Sequence, residues 1–276
     1  AGVLGYLLTR YAGEWETPVM RVYLPSAAFL VFLTLISGLF TRLPQIPADG
    51  AGLNPLLRDP WMAIHPPVTF LGYAALSIPF AFAMAGLGLK RKNEWVDGAL
   101  PWSLLGWATL GTGIIMGGFW AYKVLGWGGW WGWDPVENAS LLPWLLGMAL
   151  FHGMLLQRSR KKFTRTNLFL AVLTFALVIY STFLTRSGVL EGASVHTFGA
   201  STVGTWLFLW IVAVLVYGFY RIMGAGKTIK GERLDEQFFS REMQLTIGTL
   251  VIIGITIMVG LGTSAPIISR LSGGEG

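Results

Sequence analysis

Trp127-Gly-Gly-Trp130-Trp131-Gly-Trp133-Asp134-Pro135-Val-Glu137-Asn138 is the stretch from which the rest of the chain is best read. Four tryptophans and three glycines fall within Trp127–Trp133. So much glycine opposes a helix, because glycine loses the most backbone freedom on folding. The expected form is a non-helical ribbon, closely backed, with indole faces on one side. A helix then starts at Asp134, which is a good N-cap; Pro135 suits the first helical position, and Glu137 stands where a capping box needs it. Two readings of the ribbon compete. Tryptophan crowds the membrane–water interface of any integral membrane protein, so the first is an interface belt. The second is an aromatic wall for a flat, largely apolar ligand with a few charged groups. Asp134 and Glu137 likewise read as caps before they read as binding groups.

Outward from the ribbon the chain is apolar. Of 276 residues 54% are hydrophobic and 12% charged, far from a soluble domain. Several runs approach or exceed the roughly 20 residues that cross a bilayer. The fold class is therefore all-α: a polytopic transmembrane helix bundle of about seven spans plus an N-terminal helix stub. There is no cysteine, which excludes thiol–disulfide exchange and a thiolate metal site in this chain. The net charge of +6 is modest and bears on topology rather than on nucleic acid, for which nothing argues. No cleavable signal peptide is visible, and the chain opens at Ala1 inside an apolar run with no initiator methionine, which reads as a piece of something longer.

Residues 1–9 read as the stub, leaving the bilayer at Arg10. Spans are expected at about 20–40, 65–88, 101–119, 135–156, 167–185, 203–223 and 243–262. His65-Pro66-Pro67 is taken as a helix start, and Gly262-Thr-Ser-Ala-Pro266 as the close of the last span. The segment from Lys227 to Arg241 could contain an amphipathic surface helix. The chain divides as 1–40, stub and first span; 41–223, a core with the ribbon at 127–138; 224–242, a charged loop; and 243–276, last span and tail. Alternating spans put thirteen lysines and arginines on the side of the loops at 89–100, 157–166 and 224–242, against five on the other. The basic side is then cytoplasmic, and the ribbon faces outward.

Three histidines exist: His65, His152 and His196. His65 and His196 fall on the outer side, at the height of the ribbon. A lone outer-face histidine is ordinarily a solvated polar residue. Two of only three converging on an indole shelf point instead to axial ligation of haem iron, with one imidazole on each side of the metal. His152 lies 18 residues beyond Asp134 on one helix, roughly 27 Å along its axis, and cannot reach the ribbon. It is either a satisfied core histidine or an intramembrane functional group.

These residues resemble a known family. Trp127-Gly-Gly-Trp-Trp-Gly-Trp-Asp-Pro-Val-Glu-Asn-Ala-Ser140 is similar to the WWD signature of haem-handling membrane proteins, and its continuation resembles the CcmF family of cytochrome c maturation subunits more than CcmC or CcsA. Leu53-Asn-Pro-Leu-Leu-Arg-Asp59, Ile64-His-Pro-Pro67 with Gly72-Tyr73, Thr185-Arg-Ser-Gly-Val-Leu190 and Ser194-Val-His-Thr-Phe198 carry the likeness further, over about residues 41–265. The resemblance implies that His65 and His196 ligate a transferred haem b against Trp127, Trp130, Trp131, Trp133 and Asp134. It implies that His152 ligates a second, stable b-type haem, whose partner ligand lies in a span this sequence does not contain. It further implies a haem lyase in the bacterial inner membrane, working with a haem chaperone, apocytochrome c and other maturation subunits. In that activity the two thiols of a Cys-x-x-Cys-His segment add to the haem vinyl groups. A haem exporter, a b-type electron-transfer subunit and a structural scaffold are the rival readings. No catalytic acid or base is assigned.

Overall fold

The computed structural model describes residues 1–38, 41–42, 44–45, 47–50, 52–126, 129–191, 194, 202–226 and 238–272. Among them the elements are helical: α1 Gly2–Tyr11, α2 Glu16–Ile36, α3 Pro60–Gly88, α4 Trp95–Val124, α5 Pro135–Arg160, α6 Thr164–Arg186, α7 Thr202–Gly224 and α8 Arg241–Leu271. Seven of these, α2 to α8, are long and apolar enough to cross a membrane. α3, α5 and α6 form the interior, while α2, α7 and α8 turn most of their surface outward. The short α1 lays Leu4 and Leu8 on α2, and the Tyr23 hydroxyl donates to the Ala1 carbonyl at 2.7 Å.

Several expected boundaries move, the first span lying at Glu16–Ile36 in place of 20–40. The second span starts at Pro60, because Asp59 accepts a hydrogen bond from the Trp61 N–H at 2.9 Å and Pro60 needs no donor in a first turn. His65 therefore sits in the second turn, not at the start, and Pro66 and Pro67 lie inside the helix. The third span extends to residues 95–124, well past its apolar centre. The last span continues through Pro266 to Leu271, held by Tyr180–Ser264 hydroxyls 2.7 Å apart and by Ile267 packing on Ala139, Leu184 and Leu190. The expected surface helix at 227–241 falls largely outside the described residues.

The antiparallel pair α3–α4 is the spine. Leu76 meets Gly106, Gly72 meets Leu110, Thr69 meets Gly113, and His65 meets Gly117, in steps of four, three and four along both helices. A methyl group on Gly72 would lie 2.6 Å from the Leu110 backbone nitrogen, and one on Gly113 would lie 2.8 Å from that of Thr69. Without side chains at these points the two backbones approach closely, as small residues allow in membrane bundles. This seam fixes the height of His65 against α4.

At the end of the bundle away from the ribbon, a polar knot joins two helical hairpins, α3–α4 and α5–α6. Gln157 donates to the Lys92 carbonyl at 3.0 Å and to Asn93 Oδ1 at 3.2 Å. Asn167 donates to Gln157 Oε1 at 2.7 Å, and Thr164 donates to Asn93 Oδ1 at 2.8 Å. Along the α5–α8 seam, buried Thr246, Thr249, Thr256 and Thr263 each return a hydroxyl to the carbonyl four residues earlier, so no bond is lost by burying them.

Candidate functional site

The ribbon is shaped by the first turn of α5. Asp134 and Glu137 form the expected capping box, and Glu137 Oε2 accepts from the N–H groups of both Gly132 (2.8 Å) and Asp134 (3.3 Å). Asn138, buried one residue on, grips the ribbon from below. Its Oδ1 accepts the Trp131 indole N–H at 3.2 Å, and its Nδ2 donates to the Trp133 carbonyl at 3.2 Å. These bonds hold Trp133 at φ 55°, a left-handed conformation that a side chain rarely adopts.

Two glycines of α4 seat the ribbon and the histidine side by side. A Cβ on Gly118 would stand 2.8 Å from the Trp130 carbonyl oxygen; one on Gly117 would stand 3.0 Å from His65 Nδ1. Trp130 stacks on Tyr122 with centroids 5.5 Å apart and leans on Phe119 at 5.2 Å. Trp131 and Trp133 meet edge to face at 6.4 Å. The indoles of Trp130 and Trp133 remain 50% and 65% exposed, so they offer surface beyond their own packing. The His65 ring lies nearly parallel to that of Trp120, 5.9 Å away, and the Trp120 N–H donates to the Leu56 carbonyl at 3.2 Å.

A cavity of about 170 Å³ opens between these parts. His65, Tyr73, Trp131, Glu137, Ser140 and Thr185 contribute to its wall from α3, the ribbon, α5 and α6. The structure thus brings His65, Trp131 and the α5 cap together, with Trp130 beside them on Gly118. It does not bring in His152, which lies near the other end of α5. There its Nδ1 is 2.8 Å from the Met148 carbonyl, and donation at that nitrogen leaves Nε2 as the lone-pair atom. His196 and Trp127 lie outside the described residues. Ser194, two positions before His196, donates to Asp134 Oδ2 at 2.8 Å. Among the described residues no cluster of three or more His, Asp or Glu could hold a metal ion.

Asn138, Trp120, Gly117 and Gly118 were not anticipated as site residues. The spacing of Gly106, Gly113 and Gly117 was the available signal for the glycine floor: it places three small residues on one helix face. Nothing comparable marks Asn138, which reads as an ordinary early-helix residue.

Beside the cavity Asp59 pairs with Lys123 at 2.8 Å. The Lys123 hydrogen bond, helped by the Trp61 N–H, holds the Asp59 carboxyl below its usual range. A depressed carboxyl contributes stability above its unfolded pKa of about 4, and that contribution is lost as pH falls through the lower folded value. Melting temperatures of the parent and Asp59→Asn should therefore differ at pH 7 and converge below about pH 4. A constant gap across that range would show that the pair does not act through ionisation.

A helical membrane bundle that seats an imidazole against an indole ribbon at one end is the class that fold and site define. Residues 3–190 match the family described as cytochrome C assembly protein, and the chain belongs to that family. The match takes in α1 and α2, ahead of the region where the resemblance was legible in the sequence. Within the family the chain is similar to the cytochrome c-type biogenesis protein CcmF. It is 42% identical over 253 residues to that of Pseudomonas fluorescens, covering 91% of this chain and 38% of the relative. It is 41% identical over 251 residues to that of Escherichia coli K12, covering 90% and 38%. A solved structure of Cytochrome c Heme Lyase CcmF superposes with a TM-score of 0.65 at 29% identity, over 88% of this chain and 41% of the other. The chain spans well under half the length of these relatives. Membership of a family of cytochrome c assembly proteins does not favour the exporter and electron-transfer readings.

Proposed function

We propose that this chain supplies the haem-holding part of a cytochrome c haem lyase. One observation carries the reading: His65 and Trp131 line one cavity, set at a fixed spacing by Gly117 and Gly118. In this reading haem is the substrate. His65 ligates its iron from one side and His196 from the other, while Trp127, Trp130, Trp131 and Trp133 form the shelf and Asp134 with Glu137 keeps the shelf in shape. The anchoring of Ser194 on Asp134 supports a second imidazole near the ribbon, since two residues reach at most about 7 Å. The substrate's Cys-x-x-Cys-His histidine displaces one imidazole. Each thiol then adds across a vinyl group, breaking S–H and C=C π bonds and forming C–S and C–H bonds with no net electron transfer. The reactivity belongs to haem and thiols; the chain contributes orientation and exclusion of water.

The charge asymmetry between the two ends supports a ribbon facing the periplasm, with the haem chaperone and apocytochrome c approaching from that side and other maturation subunits packing in the bilayer. His152, with Nδ1 held at the Met148 carbonyl, would offer Nε2 to the iron of a resident b-type haem. The described residues supply no second histidine for it.

The test is haem content and absorption spectrum of the full-length protein in membranes. His65→Ala should lower outer-face haem retention at least about tenfold, equivalent to about 1.4 kcal/mol of binding free energy, while His152→Ala spares it. Retention untouched by His65→Ala would sink the ligation model. Thioether formation on a Cys-x-x-Cys-His peptide then separates a lyase from a carrier.

A further inference from the structure

At the end opposite the ribbon, a cavity of about 870 Å³ opens between the last turn of α5 and the first turn of α8. Among the described residues, Arg158, Arg160, Lys162 and Arg241 face it, against one carboxylate, Glu242. Two of these cations are committed. Arg158 bonds Asp97 at 2.9 Å, and Lys162 bonds Glu242 at 2.5 Å with the two side chains only 15% and 11% exposed. Arg160 and Arg241 have no ion pair among the described residues. The serines nearby are occupied as well: Ser159 donates to the Leu155 carbonyl at 2.9 Å, and Ser240 accepts from the Met243 N–H at 3.1 Å. Among the described residues, the guanidinium groups of Arg160 and Arg241 are therefore the cations of this wall without a carboxylate partner.

The rest of the wall is apolar. Leu155, Leu156 and Leu245 line the cavity, and farther along α8 the side chains of Leu250 and Val251 face outward. Helix ends this apolar and this basic lie at the headgroup level of a bilayer. A soluble anion would use the arginines and gain nothing from the leucines. A phospholipid uses both: guanidinium groups bind phosphate oxygens through paired N–H donors, and the leucines accept glycerol and chain.

We propose that this cavity binds an anionic phospholipid, its phosphodiester between Arg160 and Arg241 and its acyl chains along Leu245 and the outer face of α8. The lipid would fasten α8 to α5 beside the Lys162–Glu242 pair.

The experiment uses the full-length protein reconstituted with phosphatidylglycerol or phosphatidylcholine, and counts retained lipids by native mass spectrometry after mild extraction. The parent should prefer phosphatidylglycerol. Arg160→Gln with Arg241→Gln should weaken that preference about thirtyfold, the combined effect of two surface cations. Arg160→Lys with Arg241→Lys should keep most of it, which separates lost charge from lost fold. Equal retention in the glutamine variant, or no preference between the lipids, overturns the proposal. Displacement of the lipid by millimolar inorganic phosphate overturns it too, since the site would then belong to a soluble anion.

Discussion

Gly72→Ala is expected to destabilise the protein by about 3 kcal/mol, at the upper end for inserting a methyl group into a packed interior. The added carbon would lie 2.6 Å from both the nitrogen and the Cβ of Leu110 and 2.7 Å from its Cα, so no side-chain rotation relieves it. The α3–α4 pair must separate or slide. Either movement carries His65 away from Gly117, so on the proposed ligation haem retention should fall although no proposed ligand is changed. The control is Gly248→Ala or Gly254→Ala on α8, where an added Cβ meets nothing within 4 Å. Those changes should be neutral or stabilise by up to about 1 kcal/mol through helix propensity. Melting temperature and haem content of the three variants decide the matter. A Gly72→Ala protein as stable as the α8 controls would refute the close-packed seam.

Asn138→Leu should do its damage locally. The leucine keeps the branched heavy-atom skeleton, though it is bulkier, and it abandons the Trp131 indole N–H and the Trp133 carbonyl together. An abandoned buried polar group costs about 1–3 kcal/mol. Exposure of the ribbon lets water recover part of that. A net penalty of about 2 kcal/mol corresponds to a thirtyfold shift toward a released ribbon. Tryptophan emission should move to longer wavelength, and outer-face haem retention should drop, with the bundle's helical content unchanged. Asn138→Asp keeps the acceptor for Trp131 and should lie between parent and leucine variant. If emission and haem binding survive Asn138→Leu, the ribbon is held by its aromatic packing on Phe119 and Tyr122 instead.

Length and apolarity were enough to read the seven spans from the sequence, since a bilayer sets a minimum run that few other contexts demand. The capping box at Asp134 and Glu137 was equally legible, because its chemistry is local. The start of α3 was not. His65-Pro66-Pro67 looks like a helix entrance, yet Asp59-Pro60 supplies both a cap and a donor-free first position five residues sooner. Partnerships across helices stayed hidden for a different reason. That Gly118 faces the Trp130 carbonyl, or that Gln157 meets Asn93, depends on the register of two segments, which no local pattern states. Pairing His65 with His196 across one ring remains a proposal, since His196 and Trp127 lie outside the described residues.

The knot of Gln157, Asn93, Thr164 and Asn167 has a mechanical consequence. It pins the two hairpins to each other near one tip, roughly 35 Å along α5 from Asp134 at 1.5 Å per residue. A pair of tongs pinned so far from its jaws needs little rotation. A tilt of about 5° between the arms parts the far tips by about 3 Å over that lever, comparable to the thickness of a flat aromatic guest, while the pinned tip scarcely stirs.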